Sequence, residues 1–184
     1  MSGHFKYIVV GRGMMGAAAA RHLADHTDGV ALIGPDEPKD IKSHTGVFAS
    51  HYDEARITRT IDGDADWALL ANRSIARYGD IAIRSGVDFY SPVGCLIVGP
   101  KRGGGNPYID DVCAAADRLG GSTELMDDAT LKNRFPYFAF EAGCEGVFEK
   151  DNAGYVNPRA LVEAQSVLAK KGGVVLIDDI VVST

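Results

Sequence analysis

An α/β fold that opens on a strand–helix–strand unit with a parallel sheet is what the sequence predicts, and three observations predict it. The first is the apolar run Tyr7-Ile8-Val9-Val10, which stops at a glycine. The second is the spacing Gly11-x-Gly13-x-x-Gly16, followed by an alanine-rich segment of helical period. The third is a further apolar run, Val30-Ala31-Leu32-Ile33, which ends at Gly34-Pro35. Near-continuous apolar runs of this length are the pattern of strands buried on both faces, which is the situation in parallel sheets.

The elements follow in order along the chain. A buried strand is expected over 7–10 and a helix over 14–26, with Met15, Ala19, His22 and Leu23 toward the interior. Thr27-Asp28-Gly29 ends that helix, and 30–33 is a second buried strand. Residues 35–63 read as a long, polar, irregular connection, a class of segment that tends to carry function. From Asp64 to Gly86 a helix is expected, with Trp67, Leu70, Ala71, Ser74, Ile75, Tyr78, Ile81 and Ala82 as its core row. Strand-like residues occupy 89–98, and the glycine-rich stretch 102–107 is a turn. A helix over 108–119 buries Ile109, Val112, Cys113 and Ala116, and a short one over 129–135 stops at Pro136. Val147-Phe148-Glu149 suits a strand. Asn157-Pro158 is a helix start, cap then first-turn proline, for a helix that runs to Lys171 and stops at Gly172-Gly173. Residues 174–182 read as one or two strands.

Composition bounds the function. With 184 residues, 46% hydrophobic and 24% charged, the chain suits one medium globular domain or two small ones. A net charge of −6 gives no electrostatic footprint for nucleic acid. No apolar run reaches the roughly 18 residues of a membrane span. Cys95, Cys113 and Cys144 are scattered and odd in number, which suits reduced thiols and a cytoplasmic protein. No metal-ligating pattern is present.

The glycine spacing points to a dinucleotide. Gly11 permits a tight turn, Gly13 lets backbone amides approach a pyrophosphate, and Gly16 allows helix to pack closely on strand. The anion would rest on the free N–H groups at the helix N-terminus. An acidic residue that accepts from the ribose belongs at the end of the second strand, but Gly34 stands there. Asp36 and Glu37 lie just beyond and could reach back, with Asp36 the candidate acceptor and simple surface solvation the alternative for both.

Ser50-His51-Tyr52-Asp53-Glu54-Ala55-Arg56-Ile57-Thr58-Arg59 is the second informative stretch. Its β-branched residues favour an extended chain, which turns Arg56 and Arg59 to opposite faces. One guanidinium could then touch a cofactor and the other a bound carboxylate. An ordinary surface ion pair with Asp53 or Glu54 is the reading that the spacing alone favours.

Four segments in the same order, YIVVGRGMMGAAAARHLA, SHYDEARITR, FYSPVGCLIVGP and GVFEKDNAGYVNPRALVEA, resemble the FAD-dependent amine oxidases of the D-amino acid oxidase superfamily, the monomeric sarcosine oxidase type in particular. The resemblance covers essentially the whole chain but only the first half of such an enzyme. It implies a glutathione-reductase-like FAD-binding βαβ fold with part of an inserted antiparallel-sheet substrate domain. On this basis 1–86 and 145–184 form an incomplete FAD-binding domain, and 87–144 part of the substrate domain. Gly11, Gly13 and Gly16 would meet the FAD pyrophosphate. Ser50, His51 and Arg56 match positions that line the flavin, and Arg59 matches the arginine that pairs with a substrate carboxylate.

The implied reaction oxidises the C–N bond of an amino acid or N-methyl amino acid. The imine is then hydrolysed, and oxygen reoxidises the flavin to give hydrogen peroxide. A flavin dehydrogenase of the same fold and a catalytically inert dinucleotide-binding module are the competing readings. A simple nicotinamide-binding domain fits less well, because a long loop and a change of sheet type intervene. Two departures stand out: Gly34 replaces the usual acid, and the chain stops where the family continues. It is therefore expected to be an N-terminal fragment, inactive alone, whose site needs the missing C-terminal half and whose sheets have open edges.

Overall fold

The computed structural model describes residues 4–183. The chain divides into two compact units, 1–56 with 79–89 and 156–184, and 57–78 with 90–155.

The first unit holds the expected strand–helix–strand motif. β1 (Tyr7–Val10), α1 (Met14–Ala24) and β2 (Val30–Ile33) follow in order, and β1 pairs in parallel with β2, Tyr7 opposite Val30 and Val10 opposite Ile33. The connection over 35–63 contains one short strand, β3 (Arg56–Thr58). The long helix α2 (Ala65–Ser85) begins in the second unit and ends in the first. Asn157 caps α5 (Pro158–Lys171), its side chain accepting from Ala160 N at 3.0 Å, and Pro158 opens the first turn as expected. Of 174–182 only β9 (Val175–Ile177) forms a strand among the described residues, parallel to β2, so the sheet order is β1-β2-β9.

β2 is the central strand and is buried, whereas β1 is not, with Val10 58% exposed. An apolar run specifies a strand, but its place at the edge of the sheet decides its burial. α1 also turns a different face inward from the one expected. Met15 is 86% exposed, and Ala17, Ala20 and Arg21 are buried instead. Small side chains let α1 lie close to α5 and β2, in a core of Ala17, Ala20, Val30, Leu32, Val162 and Ala169. Arg21 is satisfied within it by donating to Gln165.

The second unit is built on an antiparallel sheet. β5 (Cys95–Pro100) pairs with β7 (Cys144–Glu149), which pairs in turn with β6 (Thr123–Met126). α3 (Tyr108–Leu119) packs on this sheet with Ile109, Val112 and Ala116 against Ile61, Ile97 and Val147. α4 (Asp128–Arg134) follows, capped by Asp127 accepting from Thr130 N at 2.8 Å. β4 (Tyr90–Ser91) and β8 (Gly154–Val156) join β3 in a small sheet of order β3-β8-β4. Residues 145–149 lie in the second unit, not with the dinucleotide motif, because β7 is the middle strand of the antiparallel sheet. The α2 row is only partly core: Ile75 and Ile81 are buried, while Trp67 is 68% exposed and Leu70 is exposed too, and Ala68, outside the row, is buried instead.

Candidate functional site

In the first unit the turn between β1 and α1 is shaped by its glycines. Gly11 holds φ +104°, a left-handed conformation that a side chain resists. A Cβ at Gly16 would stand 1.7 Å from Gly11 O, so helix and turn meet only without one. Gly13 is the N-cap of α1, with no side-chain capping bond and no acidic residue in the first turn. The positive end of this 11-residue helix therefore presents backbone N–H groups with no side-chain acceptor. Beside it, a Cβ at Gly13 would be 3.6 Å from His51 Nδ1.

His51 is 8% exposed, and its Nδ1 has no partner among the described residues. Burial pushes the His51 pKa down; Glu37 and Asp53 pull it up, and Arg159 and Arg56 push it lower again. It lines a cleft of about 470 Å³ with Arg12, Asp36, Glu37, Arg159 and Ser166. The Ser166 hydroxyl is also buried without a partner. Buried polar atoms without partners are costly in a folded chain, and the two residues that carry these line the same cleft.

The acids at the end of β2 are placed by arginines. Asp36 pairs with Arg12, and the Asp36 N–H donates to Asp178 Oδ1 at 2.9 Å. Glu37 accepts from Arg159 Nε at 2.8 and 2.9 Å through its two oxygens. Arg159 also donates to the Tyr52 carbonyl at 2.6 Å, which ties the loop before β3 to the start of α5. Gly34 cannot carry an acid in this backbone, because a Cβ there would stand 2.5 Å from Arg12 N.

Arg56 forks onto Asp53, at 2.8 and 3.1 Å, and donates to the carbonyl of exposed Ser50. It thus makes the surface ion pair weighed from the sequence. Arg59 lies in the second unit, with Nε donating to Ile61 O at 3.0 Å and the guanidinium paired with Asp62. With Ile57, Trp67, Leu70 and Tyr78 it lines a shallow groove of about 310 Å³. His51, Asp36 and the glycine turn share the first unit, and Arg59 shares its unit with none of them.

Sequence reasoning missed Arg12 and Arg159, which both line the cleft. Arg159 did leave a signal, since a cation in the first turn of a helix opposes the macrodipole and calls for a nearby acid. Cys95, Cys113 and Cys144 are free thiols. Among the described residues no helix is long and apolar enough to cross a membrane.

The family model described as FAD dependent oxidoreductase matches residues 6–184. The chain is 28% identical over 178 residues to the monomeric sarcosine oxidase of Bacillus sp. (strain NS-129), covering 96% of this chain and 44% of that protein. It is 26% identical over 168 residues to the peroxisomal sarcosine oxidase of Mus musculus, covering 91% of this chain and 41% of that protein. The chain thus spans about two-fifths of the length of these curated relatives. In fold it is similar to the L-proline dehydrogenase of P. horikoshii, with TM-score 0.73 and 18% identity, covering 97% of this chain and 45% of that one. With its glycine turn and mixed α/β architecture, the chain belongs to the FAD dependent oxidoreductase family.

Proposed function

We propose that this chain binds FAD and, with the further sequence its relatives carry, oxidises the C–N bond of an amino acid or N-methyl amino acid. The observation that carries this reading is the uncapped α1 N-terminus beside Gly13, next to the partnerless Nδ1 of buried His51. Gly11, Gly13 and Gly16 admit the pyrophosphate to the helix N–H groups, which favour its charge. Asp36, held by Arg12, accepts from the ribose in place of an acid at 34. Ser50, His51 and Arg56 line the flavin, and His51 Nδ1 meets a polar group of the cofactor. The first unit is the FAD-binding part and the second the start of the substrate domain.

Bound flavin would supply the electron acceptor for oxidising the amine to an imine, which water would hydrolyse, with oxygen as the terminal oxidant and hydrogen peroxide as its product. Arg59 holds the substrate carboxylate and orients the reacting C–H bond.

The test is the absorption spectrum of the purified chain after incubation with FAD and removal of free cofactor. Retained flavin bands, lost in Gly13→Val, support the cofactor site. A folded chain without flavin overturns binding by this chain alone. With the downstream sequence restored, an N-methyl amino acid should release peroxide. Arg59→Lys should raise KM roughly ten- to a hundredfold, the range for losing a charged hydrogen-bond pair. An unchanged KM removes Arg59 from the substrate site.

A further inference from the structure

Glu149 closes β7, in register opposite Cys95 and Thr123, and is only 2% exposed. A buried carboxylate is costly unless donors surround it. Among the described residues, the donors to Glu149 come from one short stretch. Thr60 N donates at 3.0 Å to Oε2 and 3.2 Å to Oε1, the Thr60 hydroxyl donates to Oε1, and the nearby Ile61 N–H also favours the carboxylate. On the other side of the same peptide, Asn72 Nδ2 donates to Thr60 O at 2.6 Å and to Ala68 O at 2.8 Å. Residues 59–64 lie between β3 and α2 and belong to neither sheet nor helix. Side chains therefore hold Thr60 where a strand ladder would otherwise do so.

The residue just before this clamp is Arg59, and its guanidinium leans on the clamped backbone through Nε to Ile61 O at 3.0 Å. We propose that Glu149 is a positioning residue for Arg59: through Thr60 and Ile61 it fixes the backbone on which the guanidinium rests. The consequence for function rests on the reading of Arg59 as the ligand of a substrate carboxylate. An apolar residue of similar volume could fill the same space, but it could not accept three hydrogen bonds. The clamp spends a buried charge on one segment of chain, and Arg59 is the group that this segment carries.

The test reads Arg59 directly, as the exchange of its Nε–H with water by NMR in the full chain, with the signal assigned through Arg59→Lys. Glu149→Gln retains the shape of the side chain but leaves one terminal group unable to accept. It should speed that exchange roughly tenfold, the factor that corresponds to one net hydrogen bond. Unchanged exchange in a folded Glu149→Gln protein overturns the proposal. Should Glu149→Gln fail to fold, Thr60→Val and Thr60→Ser decide. Faster exchange in Thr60→Val with wild-type exchange in Thr60→Ser supports the clamp, and equal exchange in both overturns it. A packing role alone would lower the melting temperature and leave this signal unmoved. Titration with acetate separates the two readings. If the wild-type Arg59 signal ignores acetate, the carboxylate-ligand assignment fails, while the exchange comparison still decides the clamp.

Discussion

A Cβ carbon at Gly34 would stand 2.5 Å from the backbone nitrogen of Arg12. The two residues meet where the end of β2 passes the glycine turn, and Gly11 N donates to Ile33 O at 2.8 Å to hold them there. The atom in the way is backbone, so no rotamer change relieves the clash. Gly34→Ala should destabilise the chain by about 1–3 kcal/mol, the usual cost of overpacking a fixed site. Gly34→Asp should cost at least as much. Urea unfolding of both variants checks this, and a neutral Gly34→Ala would mean that Arg12 moves aside freely.

Gly16 and Gly13 separate folding from binding. At Gly16 the intruding atom would be 1.7 Å from Gly11 O, so Gly16→Ala should lower stability by about 3 kcal/mol or prevent folding. At Gly13 the nearest atom is 3.6 Å away, an ordinary contact. Gly13→Ala should therefore change stability by less than about 1 kcal/mol, as for loss of a weak N-cap, yet weaken FAD retention. Thermal melts paired with flavin absorbance check both. Equal flavin retention in Gly13→Ala and wild type would show that no phosphate comes close to that Cα.

The parts that were legible in the sequence are those whose local signals and packing agree. α3 and α5 have the expected bounds, and α5 carries its cap, its first-turn proline and its stop within one continuous stretch. β2 is central and buried as an unbroken apolar run suggests. The exposed end of α2 was not legible, because periodicity shows that Trp67 and Leu70 share a stripe but not what meets it. β6 and β8 are only four and three residues long, and pairing with distant strands defines them. For the candidate site the glycines could be read from their spacing. The ion pairs and clamp could not, since Glu37 meets Arg159 across 122 residues and Thr60 meets Glu149 across 89.

His51 makes stability depend on pH in a defined direction. Burial lowers its pKa, and Arg159 and Arg56 lower it further against Glu37 and Asp53. The unfolded chain then binds the proton more readily than the folded one. The contribution is present above the unfolded value, about 6.5, and is lost as pH falls through the folded value. Stability should therefore decline on acidification below about pH 6.5, and His51→Gln should flatten that decline. Melting temperatures from pH 5 to 8 check it. An identical pH profile in the variant would locate the titrating group elsewhere.

Glu149 acts with the opposite sign. Burial raises its pKa, outweighing the bonds from Thr60 and Ile61 and the charge of Arg59; Tyr90 and Cys95 also face it. The folded chain therefore holds this proton more tightly than the unfolded one. Its contribution is full below the unfolded value, about 4.3, and is lost as pH rises through the folded value. Glu149→Gln cannot ionise, so it should be least costly at the upper end of the range, where the wild type must bury a charge. The difference in unfolding free energy between wild type and variant should shrink as pH rises from about 4 to about 8. A difference that grows with pH would mean that the donors of Thr60 and Ile61 favour the carboxylate more than burial opposes it, reversing the sign of the shift.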